Sequence, residues 1–580
     1  MHRPPRSVTT GLTLFAATIG CVATAADERP CDVSVLSSMA KVRRDEHGPS
    51  DAGRDLKLFV ARGEAECGQL LVSAKTPLKQ VAVLAPPLAG PEGATMPLDV
   101  HLVGYVPIAN PTPVGFGRPG PYPDPLLPLR PFDVEAGGSQ AIWVTCWVPR
   151  DAVPGIYRGE ITVTPAAARK TVIPVTVRVA AVEIPVCGVL HSEFLFWKFG
   201  ANDEWYGKAE WPKREPGFID TMLRYRMPFP PPLPWASVFT KKADGTWTAT
   251  WDTFDAAVES WMARGTSFFM LRRQIIPWYG ATPPQEIPQR DATAAKLRLL
   301  DEHLEEKGWS SRFAFYLFDE PRLSADAATP EDTRGPDNVR AIKAIAEFMH
   351  EHCPHLRLIM VTCDPAYESV AMDFPAYVWC PHINHFNGQF QLQRQRMGEP
   401  NWMYVCMTTR ASNFPDIWRI DRPGASHRAV GSWLWRYQCD GFLFWCVDYW
   451  KKNPYETPDI YGKAINGDGF LFYPDPERTR DPFPSIRAEL TRDGFEDYEL
   501  LAMVQNAAVG IAAKAGRNPT AKAWLEKASQ VVDVEDAIPR VAEFSLDPAV
   551  YEARHRRLLE LLETLHKVPV LRKLASKEGP

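Results

Sequence analysis

The sequence predicts a multidomain protein: an N-terminal antiparallel β-sandwich over residues 26–187, a central (β/α)8 TIM-like barrel over 188–483, and a barrel-closing helix with a small helical subdomain over 484–580. A signal peptide of residues 1–25 precedes them. Three observations carry this. The chain has 580 residues, too many for one compact core. Up to about Val186, short period-two runs alternate with Pro/Gly turns. After Cys187, runs that are apolar throughout alternate with helical segments.

The N-terminal segment carries Arg3 and Arg6, an apolar or small stretch from Gly11 to Ala25, and the small-residue site Ala23-Thr24-Ala25. That is the grammar of secretory export, and the run is too short to span a bilayer. The expected location is therefore secreted or periplasmic, with no membrane span. Loss of Arg3 and Arg6 takes the net charge from −5 to −7. No basic field is left to hold a nucleic-acid backbone, so nucleic acid is excluded as the main partner.

In the sandwich, Ile142, Val144, Cys146 and Val148 alternate with Trp143, Thr145 and Trp147. Pro154-Gly155 makes a turn, and Ile173, Val175, Val177 and Val179 alternate again. The Pro-rich stretch Pro107 to Pro131 reads as an extended surface loop. In the barrel, strand-like runs fall at Glu193–Phe199, Ser267–Leu271, Arg312–Phe318, Leu356–Thr362, Tyr377–Cys380, Trp402–Met407 and Gly441–Val447. Helices are expected near Phe218–Arg226, Thr253–Arg264, Ala294–Lys307 and Asn338–His352. Uniformly apolar strands separated by crossover helices are buried on both faces, which makes them parallel. From Pro484 onward, Leu500, Leu501, Val504 and Ala508 form one helical stripe, and Leu558, Leu559, Leu561, Leu562 and Leu565 another.

Of eleven cysteines, Cys146, Cys406 and Cys446 sit in apolar runs and read as buried thiols. Cys31 with Cys67 is a candidate bridge. There is no CxxC pair and no HExxH, so no metal and no cofactor is expected. Fifty-five prolines beside a normal apolar fraction mean rigid loops, not disorder. Nineteen tryptophans exceed ordinary use; most belong in cores, and a surplus offers flat faces for sugar rings.

In a barrel the reactive groups stand just after each strand. That rule selects Trp197 and Lys198; Arg272 and Arg273; Asp319 and Glu320; Asp364; His382, Asn384 and His385; Thr408 and Arg410; and Asp448, Tyr449 and Trp450. Carboxylates, aromatics and hydrogen-bonding groups together suit a polar, ring-shaped ligand, so a carbohydrate is the expected partner. Asp319-Glu320 is the sharpest feature. Adjacent acids at a buried strand end repel each other and are partly desolvated, which favours keeping one protonated. Glycosidic cleavage needs such an acid and a second group to stabilise positive charge at the sugar carbon. Consecutive strand residues point to opposite faces, so the pair shares a site only where the strand breaks. The structural alternative is a solvated Asp-Glu-Pro turn or a helix cap. His382 and His385 admit metal ligation, hydroxyl binding or a structural role. The charged box Arg492 to Leu501 reads better as a salt-bridged helix start after Gly494 than as a source of site residues Glu496 or Asp497.

The run Tyr316-Leu317-Phe318-Asp319-Glu320-Pro321, with the box Arg492-Asp493-Gly494-Phe495-Glu496-Asp497-Tyr498-Glu499, resembles the catalytic region of glycoside hydrolase family 123 and its related domain family of unknown function. The strand Gly441-Phe442-Leu443-Phe444-Trp445 and the turn Pro154-Gly155-Ile156-Tyr157-Arg158-Gly159 are similar to that family as well. The resemblance implies a retaining β-N-acetylgalactosaminidase that uses the sugar's own acetamido oxygen as nucleophile, with Glu320 as general acid/base and Asp319 orienting the acetamido N–H. It also implies an acetyl pocket with an aromatic wall, for which Trp445, Tyr449 and Trp450 are candidates. The readings held beside it are a glycosidase for sugars lacking N-acetyl and a non-catalytic glycan-binding surface protein.

Overall fold

The computed structural model describes residues 30–575 apart from 50–51, 114–116, 196–204, 273, 277–286, 288, 322–335, 363, 366–367, 369–376 and 408–412. Segment 1–25 and the candidates Trp197, Lys198, Arg273, Thr408 and Arg410 lie outside the described residues.

The N-terminal part is a two-sheet sandwich. Its strands are β1 (Cys31–Ser37), β2 (Leu56–Arg62), β3 (Ala65–Ala74), β4 (Leu78–Leu84), β5 (Leu88–Ala89), β6 (Thr95–Met96), β7 (Asp99–Ile108), β8 (Gly120–Pro128), β9 (Phe132–Val134), β10 (Ser139–Trp147), β11 (Gly155–Thr164) and β12 (Thr171–Glu183). One sheet runs β1-β3-β10-β7-β8 and the other β2-β12-β11-β4-β9, with β5 and β6 appended to β11. The expected purely antiparallel sandwich needs one correction, since β2 pairs parallel to β12 and the second sheet is mixed. Nor is the Pro-rich stretch all loop. Residues 120–128 form strand β8 at a sheet edge, where prolines at 121, 123, 125 and 128 cost few ladder bonds.

The alternation in β10 serves two cores. Ile142, Val144 and Cys146 join the sandwich interior, whereas Ala141 and Trp143 pack into a core shared with the rest of the chain. Cys31 cannot bridge Cys67. Cys31 pairs in register with Ala74 at one end of the β1–β3 ladder and Ser37 with Gly68 at the other, a separation of about 20 Å at ~3.3 Å per residue.

The central part holds β13 (His191–Phe194), the hairpin β14 (Phe239–Lys241) and β15 (Trp247–Ala249), and then β16 (Phe269–Leu271), β17 (Phe313–Asp319), β18 (Arg357–Thr362), β19 (Tyr377–Pro381), β20 (Trp402–Val405) and β21 (Gly441–Phe444). The short strands β22 (Phe472–Tyr473) and β23 (Phe483–Pro484) follow. Helices Gly207–Arg224, Asp252–Ala263, Arg290–Glu306 and Pro336–His352 fall where the apolar periodicity puts them, within a turn or so of the expected bounds except at the earlier start of the first.

Two parallel sheets, β16-β17-β18-β19 and β13-β21-β20, are joined by parallel bridges Trp379–Asn401 and His382–Tyr404. Seven strands thus form one arc. Leu195, Met270, Tyr316, Val361, Cys380, Tyr404 and Leu443, together with Phe268 and Trp402, share a single interior core. Here the structure departs from the eight-stranded expectation. Among the described residues no ladder joins β13 to β16, and the Phe194 N–H instead donates to the Pro228 carbonyl at 2.8 Å. The segment that includes Pro228, Pro230, Pro231 and Pro232 lacks the N–H donors a ladder needs.

Beyond β23 the chain is helical, with Ile486–Lys514, Pro519–Val532, Pro548–Lys567 and Pro569–Ala575. The first is capped by Ser485, which accepts the Ala488 N–H. It runs straight through the charged box and does not start after Gly494. That glycine is needed for close helix crossing, because a Cβ on it would stand 2.4 Å from the Arg428 carbonyl oxygen, and one on Gly431 would stand 1.8 Å from the Gly494 oxygen. Among the described residues no helix is long and apolar enough to cross a membrane.

Candidate active site

Strand β17 brings Asp319 and Glu320 to the carboxyl end of the arc. Phe313, Phe315 and Leu317 pack outward against the helices, while Ala314 and Tyr316 face the interior. The alternation then breaks. Phe315 pairs with Leu358 but Phe318 with Met360, so β17 carries one residue more than its partner. A bulge of this kind re-aims the side chains that follow it. Glu320 comes next with φ +45°, in the left-handed region that a non-glycine residue rarely adopts, directly before Pro321. Such strain persists only where surrounding contacts hold it. Bulge and left-handed turn together put two consecutive carboxyls at the strand end, with Asp319 exposed and Glu320 half-buried.

Two interior tyrosines hold the pair. The Tyr316 hydroxyl donates to Asp319 Oδ1 at 2.6 Å. The Tyr404 hydroxyl, rising from β20, donates to Glu320 Oε1 at 2.5 Å. Behind Tyr404 stands His382, its ring edge-on at 5.0 Å. His382 Nδ1 accepts the Asn384 N–H at 3.3 Å, and burial pushes its pKa down to about 3. It is therefore a neutral buttress, and it and Asp448, which accepts the Cys446 thiol at 3.2 Å, are fully buried. Arg272 lies with its guanidinium 5.3 Å from the centre of the Tyr316 ring. The Asp364 backbone N–H is tied to the Thr362 hydroxyl at 3.0 Å, just past the end of β18. Asn384 sits in the short turn after β19.

Trp445, directly after β21, donates its indole N–H to Asp468 at 3.0 Å. Its ring is 5.3 Å from that of Tyr449, which stacks at 6.1 Å on Tyr461. Trp450 is fully buried, with its indole N–H on the Phe472 carbonyl, and so is a core residue. Glu496 and Asp497 are tied to Arg226 and Arg428 instead of the strand ends, as the structural reading of the charged box expects.

Sequence reading missed Tyr316, Tyr404, Tyr461, Asp468 and Glu193. The last had a signal, being an acid inside an apolar run. In register, Glu193 pairs with Leu443 and Leu443 with Tyr404, so Glu193 lies two strands from the tyrosine that holds Glu320. It is fully buried, and neither carboxyl oxygen completes a hydrogen bond among the described residues. Burial drives its pKa well above the usual carboxylate range, against the pull of Arg272. An acid raised in the folded state weakens the fold as pH climbs past its unfolded value of about 4.5, because the unfolded chain ionises first. Glu193→Gln is therefore expected to melt with wild type near pH 4.5 and above it at pH 8, the gap widening with pH. A gap independent of pH in calorimetric melts would overturn this.

Two family models match the chain: one described as the glycoside hydrolase 123 catalytic domain, over residues 237–504, and one described as the glycoside hydrolase 123 N-terminal domain, over residues 43–165. Among solved structures the chain is similar to a family 123 glycoside hydrolase from Clostridium perfringens, studied for its hydrolysis of glycolipid glycans. The identity is 15%, the TM-score 0.62, and the match covers 94% of this chain and 99% of that one, a likeness of fold. A family 39 glycoside hydrolase from Bacteroides cellulosilyticus is also similar, at 14% identity, TM-score 0.31 and coverage of 76% and 82%. So distant a likeness carries no argument. No curated protein matches the chain.

Proposed function

From the premise that the chain belongs to glycoside hydrolase family 123, and so is a glycosidase and not a non-catalytic glycan binder, we propose that it is a retaining β-N-acetylgalactosaminidase working by substrate assistance. One observation carries the reading: two consecutive carboxyls at one strand end, each held by its own interior tyrosine. In the first step the acetamido oxygen of the bound sugar attacks the anomeric carbon while Glu320 protonates the departing glycosidic oxygen. Asp319 accepts the acetamido N–H and stabilises the positive charge of the oxazoline-type intermediate. In the second step Glu320 takes a proton from water, which opens the ring on the same face from which the aglycone left. Two inversions give retention. No second carboxylate is needed as nucleophile, an exception to the usual paired-acid scheme.

The arc of seven strands would act as the barrel expected from sequence. The Pro-rich segment through Pro228 would fill the eighth place, a reading supported by the Phe194–Pro228 hydrogen bond. Trp445, Tyr449, Arg272, Asp364 and Asn384 would line the sugar site, and Trp197 and Lys198 would complete it. The leader-like N-terminus supports an exported enzyme, and a glycan carried by a lipid or protein is the matching substrate.

Hydrolysis of a chromogenic β-N-acetylgalactosaminide tests this, run beside inhibition by a thiazoline that mimics the oxazoline. Turnover with thiazoline inhibition at least about a hundredfold tighter than substrate binding is expected, since transition-state-like ligands gain that much or more. Turnover only of sugars without the acetamido group, with no thiazoline inhibition, would end the substrate-assisted reading and favour a glycosidase of other specificity.

A further inference from the structure

Asp468 lies in the loop after β21, is fully buried, and is absent from every motif that the sequence singles out. Its Oδ1 accepts the Trp445 indole N–H at 3.0 Å, while its Oδ2 completes no hydrogen bond among the described residues. A buried acid is expensive unless its hydrogen bonds hold something in place, and the one that Oδ1 completes is to the Trp445 indole.

The surroundings fix the indole from the other side. Gly469 has φ +82°, and a Cβ there would stand 2.6 Å from Trp445 Cζ2 and 3.0 Å from Tyr449 Cβ. The indole therefore lies against bare backbone. The Gly469 carbonyl in turn accepts the Tyr449 N–H at 2.9 Å. Trp445 is thus held along one edge by a carboxyl and against its neighbour by a glycine. Its position just beyond β21 puts it at the same end of the arc as Glu320, because Tyr404, which holds Glu320, pairs with Leu443.

We propose that Asp468 is a positioning residue that orients Trp445 as the wall of the sugar site, and so sets affinity for the sugar ring without touching the reacting atoms. This rests on the reading of Trp445 as a sugar-site residue given above. Burial raises the Asp468 pKa to about 7, so the residue also changes charge near neutral pH.

A double-mutant cycle with kinetics decides the matter. Asp468→Leu and Trp445→Phe are each expected to raise KM about tenfold, the worth of one hydrogen bond to a charged group, with kcat changed less than about threefold. The double variant should be no worse than Trp445→Phe alone, because Asp468 acts only through the indole N–H. Asp468→Asn keeps an acceptor oxygen and should restore KM to within about threefold of wild type. Effects that multiply in the double variant, a loss confined to kcat, or an Asn variant as poor as the Leu variant would each overturn the proposal. Should Asp468→Leu not fold, as judged by circular dichroism, Asp468→Ala takes its place. If wild type cleaves only a sugar without the acetamido group, the reading of function falls, and the same cycle, run on that sugar, still decides the role of Asp468.

Discussion

Glu320→Gln is expected to lower kcat on a methylumbelliferyl β-N-acetylgalactosaminide by about 10²–10⁴, the usual worth of general acid–base catalysis, while KM changes little. The amide fits the same left-handed position and still accepts the Tyr404 hydroxyl, so fold and pocket are kept and only the proton is lost. The dependence on leaving group separates this role from its rivals. A dinitrophenyl leaving group departs with little protonation, so the first step should be largely restored with that substrate. A nucleophilic Glu320 would instead lose activity equally on both. Asp319→Asn is expected to lose about 10²–10³ irrespective of the leaving group, the scale seen when one group that stabilises developing charge is removed. If Asp319→Asn were harmless, the acetamido-orienting role would fall, and the site would need a carboxylate from elsewhere.

How far this site could be read in advance follows from what periodicity records. The apolar runs located all seven strands of the arc, and the rule that chemistry stands after a strand located Asp319 and Glu320, because both depend only on local sequence. Register does not. The bulge between Phe315 and Phe318, which lets neighbouring acids share a site, becomes visible only when β17 is laid against β18. Tyr316 and Tyr404 read as ordinary core aromatics, since a hydroxyl at the end of an interior ring leaves the period-two pattern unchanged. Asp468 sits in a loop, where an acid is unremarkable until its burial is seen. The parallel pairing of β2 with β12 and the burial of both faces of β10 come from contacts distant in the chain. The burial of His382 and Asp448 likewise depends on neighbours distant in the chain, which the residues just after a strand do not record.

Arg428→Met is expected to destabilise the protein by about 3–5 kcal/mol, the cost of removing one partner from a buried ionic network. The charged box on the long helix is the centre of that network. Arg428 bonds Asp497 at 2.7 Å and Glu66 at 2.8 Å. Arg492 bonds Glu489 at 2.6 Å and also reaches Asp493. His555 from the C-terminal helices bonds Glu64 at 2.9 Å and Glu66 at 3.1 Å. Sandwich, central part and terminal helices are thus tied through charges that water does not reach. Met fills the volume of Arg but leaves Asp497 and Glu66 facing each other without their common cation. The pH dependence provides an independent check through His555, whose pKa the two glutamates raise to about 10 despite burial. A histidine raised in the folded state stabilises fully below its unfolded pKa of about 6.5 and loses that contribution as pH rises toward 10. His555→Gln should therefore be most damaging near pH 6 and approach wild type near pH 10 in urea melts. A deficit that stays constant across that range would mean that His555 is buried neutral and contributes by packing alone.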